Sequence, residues 1–361
     1  MWKLLFSPEP KRCKKDLYDF EGELNALKEY LGQPLVVVTG LRRTGKTSLI
    51  LTALEEFKVP YVFFDLRSAA TSRRDLYALI SHGLTGFLSK ASKWGRLREV
   101  GTRFLKLVRG ISISGVTVEL SWGRDRPLLS EVLKALNEVG EERGEKIVIV
   151  FDELQRASGH ASITLQNVIA YAYDHLRNLS FILSGSEMGV LYRFLKDSEA
   201  PLYGRAYLEV KTRRLSREES IDFLSRGFEE VGFKINVDEV EEAVNRLNGI
   251  IGWLTYYGYS KVTRGKELEE IWSEAVETAK RELENFLGYR ASKNRYRTVL
   301  KLLSQGVKDW KRLKISLENL EGKNLSDRVL YDILHTLKKH AIIDEQKEFQ
   351  DPLMREAAKA L

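Results

Sequence analysis

The chain has 361 residues, of which 43% are hydrophobic and 30% charged, the composition of a folded globular protein with roughly two or three domains. Its formal net charge of +7 permits an anionic partner without demanding one. The single cysteine, Cys13, excludes an internal disulfide and no apolar run reaches the length of a membrane span, so we expect a cytoplasmic protein without membrane association.

The first part of the chain, residues 1–211, alternates short β-rich runs with helical stretches. This alternation is typical of a parallel sheet covered by helices, so the predicted fold class is α/β. Continuous apolar runs such as residues 147–151 suit strands that are buried on both faces. The predicted strands are Leu35–Thr39, Tyr61–Asp65, Lys146–Phe151, Leu179–Ser184 and Ala206–Val210.

Residues 40–47 match the pattern G-x-x-x-x-G-K-[ST] in full, between a predicted strand and a helical run. Glycines at 40 and 45 let the backbone curl so that N–H groups point at phosphates, and the helix N-terminus adds positive potential. Lys46 is predicted to reach the β- and γ-phosphates, and the Thr47 hydroxyl to bind Mg²⁺. The alternative is a glycine turn with an ordinary surface lysine. The pattern favours an ATP or ADP site formed by Gly40, Leu41, Arg42, Arg43, Thr44, Gly45, Lys46, Thr47 and Ser48.

An insertion is predicted at residues 86–124. Its segment from Lys90 to Arg109 has seven basic residues and one acid, Glu99. The run Ile111–Leu120 then alternates like a strand. We favour an excursion packed on the core over a helix at a membrane surface. The apolar residues that can share one helical face are Trp94, Leu97, Phe104 and Val108.

Two carboxylates, Asp152 and Glu153, follow the buried strand that ends at Phe151. Ligand sites of open parallel sheets lie beyond the carboxyl ends of the strands, which predicts Asp152 beside Lys46. Asp152 is then suited to hold Mg²⁺, and Glu153 to orient and deprotonate an attacking water. The alternative is a pair of exposed turn carboxylates.

Two further candidates follow later in the chain. The next strand ends in Ser184-Gly185-Ser186-Glu187, and small polar residues there, Ser184 among them, can sense the γ-phosphate and hold the attacking water, although such residues also favour turns. Arg205, before the last strand, can stabilise phosphoryl charge, either in its own chain or in a neighbour. A structural ion pair is the alternative for Arg205.

Residues 212–287 are predicted to be all-helical, beginning with a capping box between Ser216 and Glu219. Residues 288–361 are predicted to form a winged helix, whose last helix is capped by Ser326 and whose wing begins at 341–344. The predicted inward residues of its three helices are Tyr296, Val299, Leu300, Leu303, Trp310, Leu313, Leu317, Val329, Leu330, Ile333, Leu334 and Leu337.

Positive charge is concentrated in the winged helix. Residues 290–361 contain 16 Lys/Arg and 10 Asp/Glu, which is +6 of the +7, and residues 290–314 hold nine basic residues and one acid. Such a domain can place its last helix in the major groove of duplex DNA, or it can bind protein. Acidic residues at 332, 344 and 345 count against tight DNA binding. The predicted outward face is Arg328, Tyr331, Asp332, His335, Lys338 and Lys339.

Taken together, these motifs resemble the archaeal ATPase family of the STAND class of P-loop NTPases, which are relatives of AAA+ proteins and of archaeal replication initiators. The residues that carry the resemblance are 40–48, Phe151–Glu153, 184–187, 201–205 and 214–219. The resemblance implies a sheet with a central P-loop strand, a helical lid, a C-terminal winged helix, and slow hydrolysis used as a conformational switch.

The sequence departs from the family pattern at two positions. The adenine-side motif usually reads Asp-Arg-Glu, whereas this chain has Phe20 at the middle position, so an arginine contact is lost while Tyr18 or Phe20 can still pack near the base. The lid motif typically carries a proline where this chain has Ile251. The geometry of the lid is therefore less firmly predicted than that of the P-loop.

Two functions of different classes follow from the sequence. The first is a DNA-associated ATPase switch, in which ATP and ADP move the lid and winged helix relative to the core. The second is a signalling or scaffolding switch whose winged helix binds protein and whose slow ATP turnover acts as a timer. A kinase or metabolic phosphotransferase is a distant third, because no second-substrate pocket is legible.

Overall fold

A computed structural model describes residues 5–67, 72–93, 97–121, 128–288 and 290–361. Trp94 and Arg124 of the predicted insertion lie outside these residues, and of Leu97 only the backbone is described. In the described parts, no helix combines the length and the apolar character needed to cross a membrane.

A five-stranded parallel sheet forms the centre of the core, in the order β2-β5-β6-β1-β7. β1 pairs on both sides, although β6, not β1, is the middle strand. The predicted bounds of β1 and β2 are confirmed, and β7 begins two residues later than expected. The strands are β1 (Leu35–Thr39), β2 (Tyr61–Asp65), β5 (Ile147–Asp152), β6 (Leu179–Gly185) and β7 (Leu208–Lys211).

Helices cover both faces of the sheet. Alternate residues of one strand enter different apolar clusters, as with Val37 and Val38, because successive side chains point to opposite faces. This two-sided burial explains the continuous apolar runs of the strands. The helices are α1 (Glu21–Tyr30), α2 (Lys46–Glu56), α3 (Arg73–Lys93), α4 (Leu97–Leu107), α5 (Leu129–Arg143), α6 (Gly159–His175) and α7 (Met188–Lys196).

The inserted segment packs on the core, because Phe104 and Val108 are buried in the cluster of α3 and α5. Its alternating run was predicted to be one strand. In the structure it is an antiparallel hairpin of β3 (Ile111–Ser114) and β4 (Thr117–Leu120). Gly115 has φ +60° between the two strands, a conformation that favours glycine and reverses the chain.

The remaining elements are helical apart from a short wing. The predicted capping box is present: Ser216 Oγ accepts the Glu219 N–H at 3.1 Å, and Glu219 Oε2 accepts the Ser216 N–H at 2.7 Å. A single antiparallel bridge between Ile343 and Phe349 forms the wing. The helices are α8 (Arg217–Glu230), α9 (Val237–Leu247), α10 (Ile251–Arg264), α11 (Leu268–Gly288), α12 (Lys293–Ser304), α13 (Trp310–Glu321), α14 (Asp327–Lys339) and α15 (Pro352–Lys359).

One apolar cluster runs through α8–α11 and α12–α15 without a break at residue 288. Of the predicted inward residues, nine are buried in it, while Tyr296, Trp310 and Val329 are partly buried against it. α15 packs along α11. The boundary between residues 287 and 288 stays a prediction, because no gap in packing marks it.

The N-terminal segment, residues 5–11, fastens this helical cluster to the core. The Phe6 ring packs against Gly227 and Gly258, where an added β-carbon would lie 2.3 and 2.4 Å from it. The Leu5 N–H donates to Glu230 Oε2 at 2.9 Å, and the Lys11 N–H donates to Ser48 Oγ at 3.1 Å. The segment thus runs from α8 to α2 of the core.

Candidate functional site

The loop between β1 and α2 curls as the P-loop pattern requires. Gly40 has φ +146°, Arg43 φ +63° and Gly45 φ +84°. A β-carbon on Gly40 would lie 2.0 Å from Thr212 Oγ1, so only glycine fits there. Thr44 is buried, and its hydroxyl contacts Leu41 O and Thr212 Oγ1, each at 2.7 Å. The loop is therefore fixed by contacts within itself and with Thr212 before α2 begins at Lys46.

Lys46 is buried with a relative exposure of 4%, which excludes the surface-lysine alternative. Its Nζ donates to Gly40 O at 3.1 Å and Leu41 O at 2.7 Å, and lies 3.9 Å from Glu153 Oε1. Burial lowers the pKa of the Lys46 ammonium, although the charge of Glu153 opposes this effect. The ammonium lies inside the loop, where a phosphate group would meet it.

Asp152 lies beside the P-loop, as the strand order predicts. The Thr47 hydroxyl donates to Asp152 Oδ2 at 2.7 Å, and the Ser184 hydroxyl donates to Oδ1. Burial raises the pKa of Asp152, while these two hydrogen bonds act in the opposite direction. The adjoining hydroxyl and carboxylate oxygens of Thr47 and Asp152 are the ligand type that Mg²⁺ prefers, so this pair fits the ion.

The Ser184 hydroxyl is hydrogen-bonded to the Asp152 carboxylate. It is fully buried, and its oxygen also accepts the Glu153 N–H at 3.2 Å. Ser184 thus links the Asp152 carboxylate to the backbone of Glu153, and its contact with a γ-phosphate or an attacking water stays a prediction. Ser186, two residues further along the same segment, does line the cavity.

Glu153 is held in the cavity by two side chains. Its backbone is left-handed, with φ +56°. Its Oε2 accepts hydrogen bonds from Ser186 Oγ at 2.7 Å and from Gln155 Nε2. Gln155 follows Glu153 by two residues, a signal too weak to be recognised in the sequence. Glu153 Oε1 faces Lys46, so the carboxylate points toward the P-loop.

A cavity of about 560 Å³ lies between the P-loop and the helical region. Phe20 and Ile251, the two departures from the family pattern, both line it within 4 Å of a β-carbon placed on Gly45. Asp19, which precedes Phe20, accepts a hydrogen bond from Arg213 at its Oδ2, 2.9 Å away. The lining includes Tyr18, Phe20, Arg42, Arg43, Gly45, Lys46, Thr47, Ser48, Glu153, Ile251 and Tyr259.

The two P-loop arginines bind carboxylates from distant parts of the chain. Arg42 contacts Glu187 at 2.8 Å and Glu282 of α11 at 3.2 Å. Arg43 contacts Glu282 at 2.6 Å, and its guanidinium lies 3.9 Å from the ring centroid of Trp253. Glu282 is largely shielded from solvent; burial raises its pKa, but the hydrogen bond and charge of Arg43 outweigh this and lower it overall.

The structure does not bring Arg205 to Lys46. Arg205 precedes β7 whereas the P-loop follows β1, and these parallel strands put the two residues at opposite ends of the sheet. Its guanidinium pairs with Asp174, with Nε 3.1 Å from Oδ1. This is the structural ion pair that was the alternative; action on a neighbouring chain stays a prediction. The arginines that do line the cavity beyond the P-loop are Arg67 and Arg156.

Comparisons with known proteins identify the families of the two parts of the chain. Residues 17–256 match an ATPase domain family found predominantly in Archaea, and residues 290–350 match the C-terminal winged helix-turn-helix domain of MCM proteins. No curated protein matches the sequence.

Solved structures give the same picture. The Walker-type ATPase PABY2304 of Pyrococcus abyssi is 32% identical, with a TM-score of 0.81 over 99% of this chain and 100% of its own. The ORC2 protein of Aeropyrum pernix, solved as ADPNP and ADP complexes, is 14% identical with a TM-score of 0.61 over 99% and 96%, a likeness of fold. The fold is thus that of an AAA+-like P-loop ATPase with a C-terminal winged helix, and the chain belongs to the family of ATPase domains found predominantly in Archaea.

Proposed function

We propose that the protein binds Mg-ATP in the cavity between the P-loop and α10 and hydrolyses it. The observation that carries this proposal is the convergence of Lys46, Thr47 and Glu153 on one cavity, with the buried Asp152 hydrogen-bonded to Thr47. Lys46 and the N-terminus of α2 would bind the phosphates, and Thr47 with Asp152 would hold Mg²⁺. When bound, Mg²⁺ neutralises phosphate charge.

Glu153 is the proposed general base. Its carboxylate orients a water and accepts its proton as the γ-phosphoryl group is transferred. Ser186 and Gln155 fix the carboxylate before the reaction. Less conformational entropy is therefore lost when the carboxylate reaches the reactive geometry. The direct test is ATP titration by calorimetry together with release of inorganic phosphate. Absence of ATP binding in the presence of Mg²⁺ would overturn the proposal.

Asp152→Asn should bind ATP but respond less to Mg²⁺ than the wild type, because one anionic oxygen of the proposed ion site is lost. The Thr47 and Ser184 hydrogen bonds to this side chain can be kept in part by the amide oxygen. ATP affinity measured over a series of Mg²⁺ concentrations checks this. A magnesium dependence identical to that of the wild type would exclude Asp152 from the ion site.

The ATP site is proposed to act as a conformational switch between a core (1–211), a lid (212–287) and a winged helix (288–361). The contact of Glu282 with Arg42 and Arg43 supports this, because ATP phosphates would compete with that carboxylate for the same two cations. The contact between α11 and the P-loop would then differ between the ATP-bound and nucleotide-free states. A ligand shifts a conformational equilibrium only if it interacts differently with the two conformations.

Duplex DNA is the proposed partner of the winged helix, and protein is the alternative. DNA is favoured by the charge map and by the exposure of the outward face of α14, where Tyr331 is 58% exposed and stacks on His335. Several basic side chains of the winged helix are already paired within it or partly covered. Arg295 pairs with Glu321 (NH2 to Oε2 2.7 Å), Lys338 pairs with Glu345 at 2.6 Å, and Lys339 is only partly exposed.

Salt-sensitive DNA binding is therefore expected to depend most on exposed cations. Phosphate contacts release counterions, with a log–log salt slope of about −0.9 per phosphate, so four contacts would give about −3 to −4. Reversing Lys311 and Arg312 to glutamate should weaken binding to all sequences alike and reduce the slope, since both side chains are exposed on α13. Fluorescence anisotropy over a salt series measures both quantities.

The matched control reverses Lys28 and Lys134, which are exposed on α1 and α5 of the core. Changes at Tyr331 or His335 should instead alter the preference between sequences, because base contacts carry that information. If the full-length protein shows no salt-sensitive binding to duplex DNA in any nucleotide state, the DNA proposal fails and the protein-binding switch takes its place.

A further inference from the structure

A contact between α7 of the core and α14 of the winged helix lies beside the ATP site. Glu187 immediately precedes α7, and His340 immediately follows α14. His340 Nδ1 lies 2.6 Å from Glu187 Oε2, and Glu187 Oε1 accepts a hydrogen bond from Arg42 NH2 at 2.8 Å. The side chains of Arg42, Glu187 and His340 therefore form a hydrogen-bonded path from the P-loop to the winged helix. We use the term α7–α14 contact for this path together with the packing of α7 on α14.

The His340 ring is fixed from both sides. Its Nε2 lies 2.8 Å from Arg290 NH2, and the ring packs edge-on against Phe286, 5.1 Å between centroids. With one nitrogen at Glu187 and the other at Arg290, the imidazole has little freedom to reorient. Arg290 belongs to the winged helix as His340 does, so a movement of the winged helix away from the core must break the bond between His340 and Glu187.

Like charges crowd this contact. The Lys339 ammonium is partly buried, and burial together with the charges of Arg193 and Arg290 lowers its pKa, against the effect of Glu187. Burial raises the pKa of Glu187, but the hydrogen bond from His340 and the charges of His340 and Arg42 have the larger effect. The pKa of Glu187 is therefore lowered overall. The Glu187 carboxylate thus offsets the repulsion among the surrounding cations.

The backbones of α7 and α14 approach closely at Gly189. A β-carbon on Gly189 would lie 2.7 Å from Lys339 Cα and 2.8 Å from Lys339 O. These are backbone atoms, which cannot turn aside as the end of a side chain can. The φ of Gly189 is not positive, so its backbone conformation does not require glycine. The close approach of the two helices requires the small size of glycine at this position.

We propose that the α7–α14 contact holds the winged helix against the core in the absence of ATP, and that ATP and the winged-helix ligand release it together. ATP phosphates compete with Glu187 for Arg42, and a ligand on α14 competes with α7 for the surface around Lys339, which Gly189 approaches. Glu187 and His340 are thus positioning residues that act on the ATP site through Arg42. The inference rests on the proposed ATP binding. Since coupling between two binding events is reciprocal, weakening the contact strengthens both.

Gly189→Ala tests the contact without altering a charge. Alanine is the better helix former, so α7 is retained, but the new β-carbon separates α7 from α14. We expect the Kd for ATP, measured by calorimetry, to fall about 5-fold or more, within the range typical of coupled sites. Binding of a duplex DNA probe without ATP should become tighter as well. Gly86→Ala in α3 is the matched control, because nothing lies within 4 Å of its β-carbon position.

His340→Ala and Glu187→Gln test the hydrogen-bonded path independently of the packing of α7 on α14. Each should lower the Kd for ATP, and the double variant should gain less than the sum of the two, because both changes remove one interaction. His340→Gln keeps a side-chain donor and should lie between wild type and His340→Ala. A role in stability alone would lower the unfolding temperature, read by circular dichroism, and leave the Kd for ATP unchanged.

The outcomes separate this inference from the proposed ATP site. If folded Gly189→Ala and His340→Ala bind ATP with wild-type or weaker affinity, the α7–α14 contact does not oppose ATP binding and the inference is overturned. If Lys46→Ala also binds ATP normally, the ATP site itself is misplaced. Loss of binding in Lys46→Ala together with a gain in Gly189→Ala supports both.

Discussion

Glu153→Gln is expected to bind ATP and to lose hydrolysis by about 10²–10⁴-fold, the contribution typical of a positioned general base. The amide keeps the shape of the side chain, and its oxygen can still accept the hydrogen bond from Ser186. It cannot accept a proton from water. The loss should therefore appear in the rate of a single turnover and not in the affinity for ATP.

Two measurements on the same variant establish this division. Calorimetry gives the Kd for ATP, and rapid-quench single-turnover assays give the rate of cleavage. The matched control is Glu145→Gln, an exposed carboxylate near the opposite end of β5. Cleavage by Glu153→Gln at the wild-type rate would show that another group activates the water.

Lys46→Ala is expected to abolish tight ATP binding. Removing one partner of a buried, hydrogen-bonded charge pair costs about 2–5 kcal/mol, or roughly 30- to 5,000-fold in Kd. The effect on folding should be much smaller. Loss of the two bonds to Gly40 O and Leu41 O costs about 1 kcal/mol each, while removing a buried ammonium relieves its desolvation.

Calorimetry with ATP and thermal unfolding by circular dichroism together test Lys46→Ala. Lys28→Ala is the control, since that lysine is exposed on α1. An unfolding temperature near that of the wild type combined with undiminished ATP affinity would remove Lys46 from the site. A collapse of the fold would show that the buried ammonium is chiefly structural, and Lys46→Met, which fills the same space, would then measure the affinity.

Local chemistry explains how much of the structure could be predicted. The P-loop, its strand β1 and the carboxylates after β5 are each encoded within a few consecutive residues, so sequence patterns locate them. The hairpin of β3 and β4 was missed although the alternation changes phase at Gly115, from apolar residues at 111 and 113 to apolar residues at 116, 118 and 120. A change of phase at a glycine is the sequence signal that marks this turn.

Contacts between distant parts of the chain left no comparable pattern. Arg42 meets Glu187 and Glu282, which are 145 and 240 residues away, and no spacing rule connects such positions. The same limit applies to Arg205: its sequence context resembled a family motif, but its partner, Asp174, is set by how α6 packs on the sheet. Long-range ion pairs depend on the assembled fold, so their detection needs the structure.

The N-terminal segment sets a limit on how far the site can open. Residues 5–11 are fixed at one end by Phe6 within the helical cluster and at the other by Ser48 on α2. Six residue steps reach at most about 20 Å when fully extended, and Pro8 and Pro10 stiffen the path. In the proposed switch, the lid and winged helix, joined by one apolar cluster, would move away from the core together, and only until residues 5–11 are fully extended.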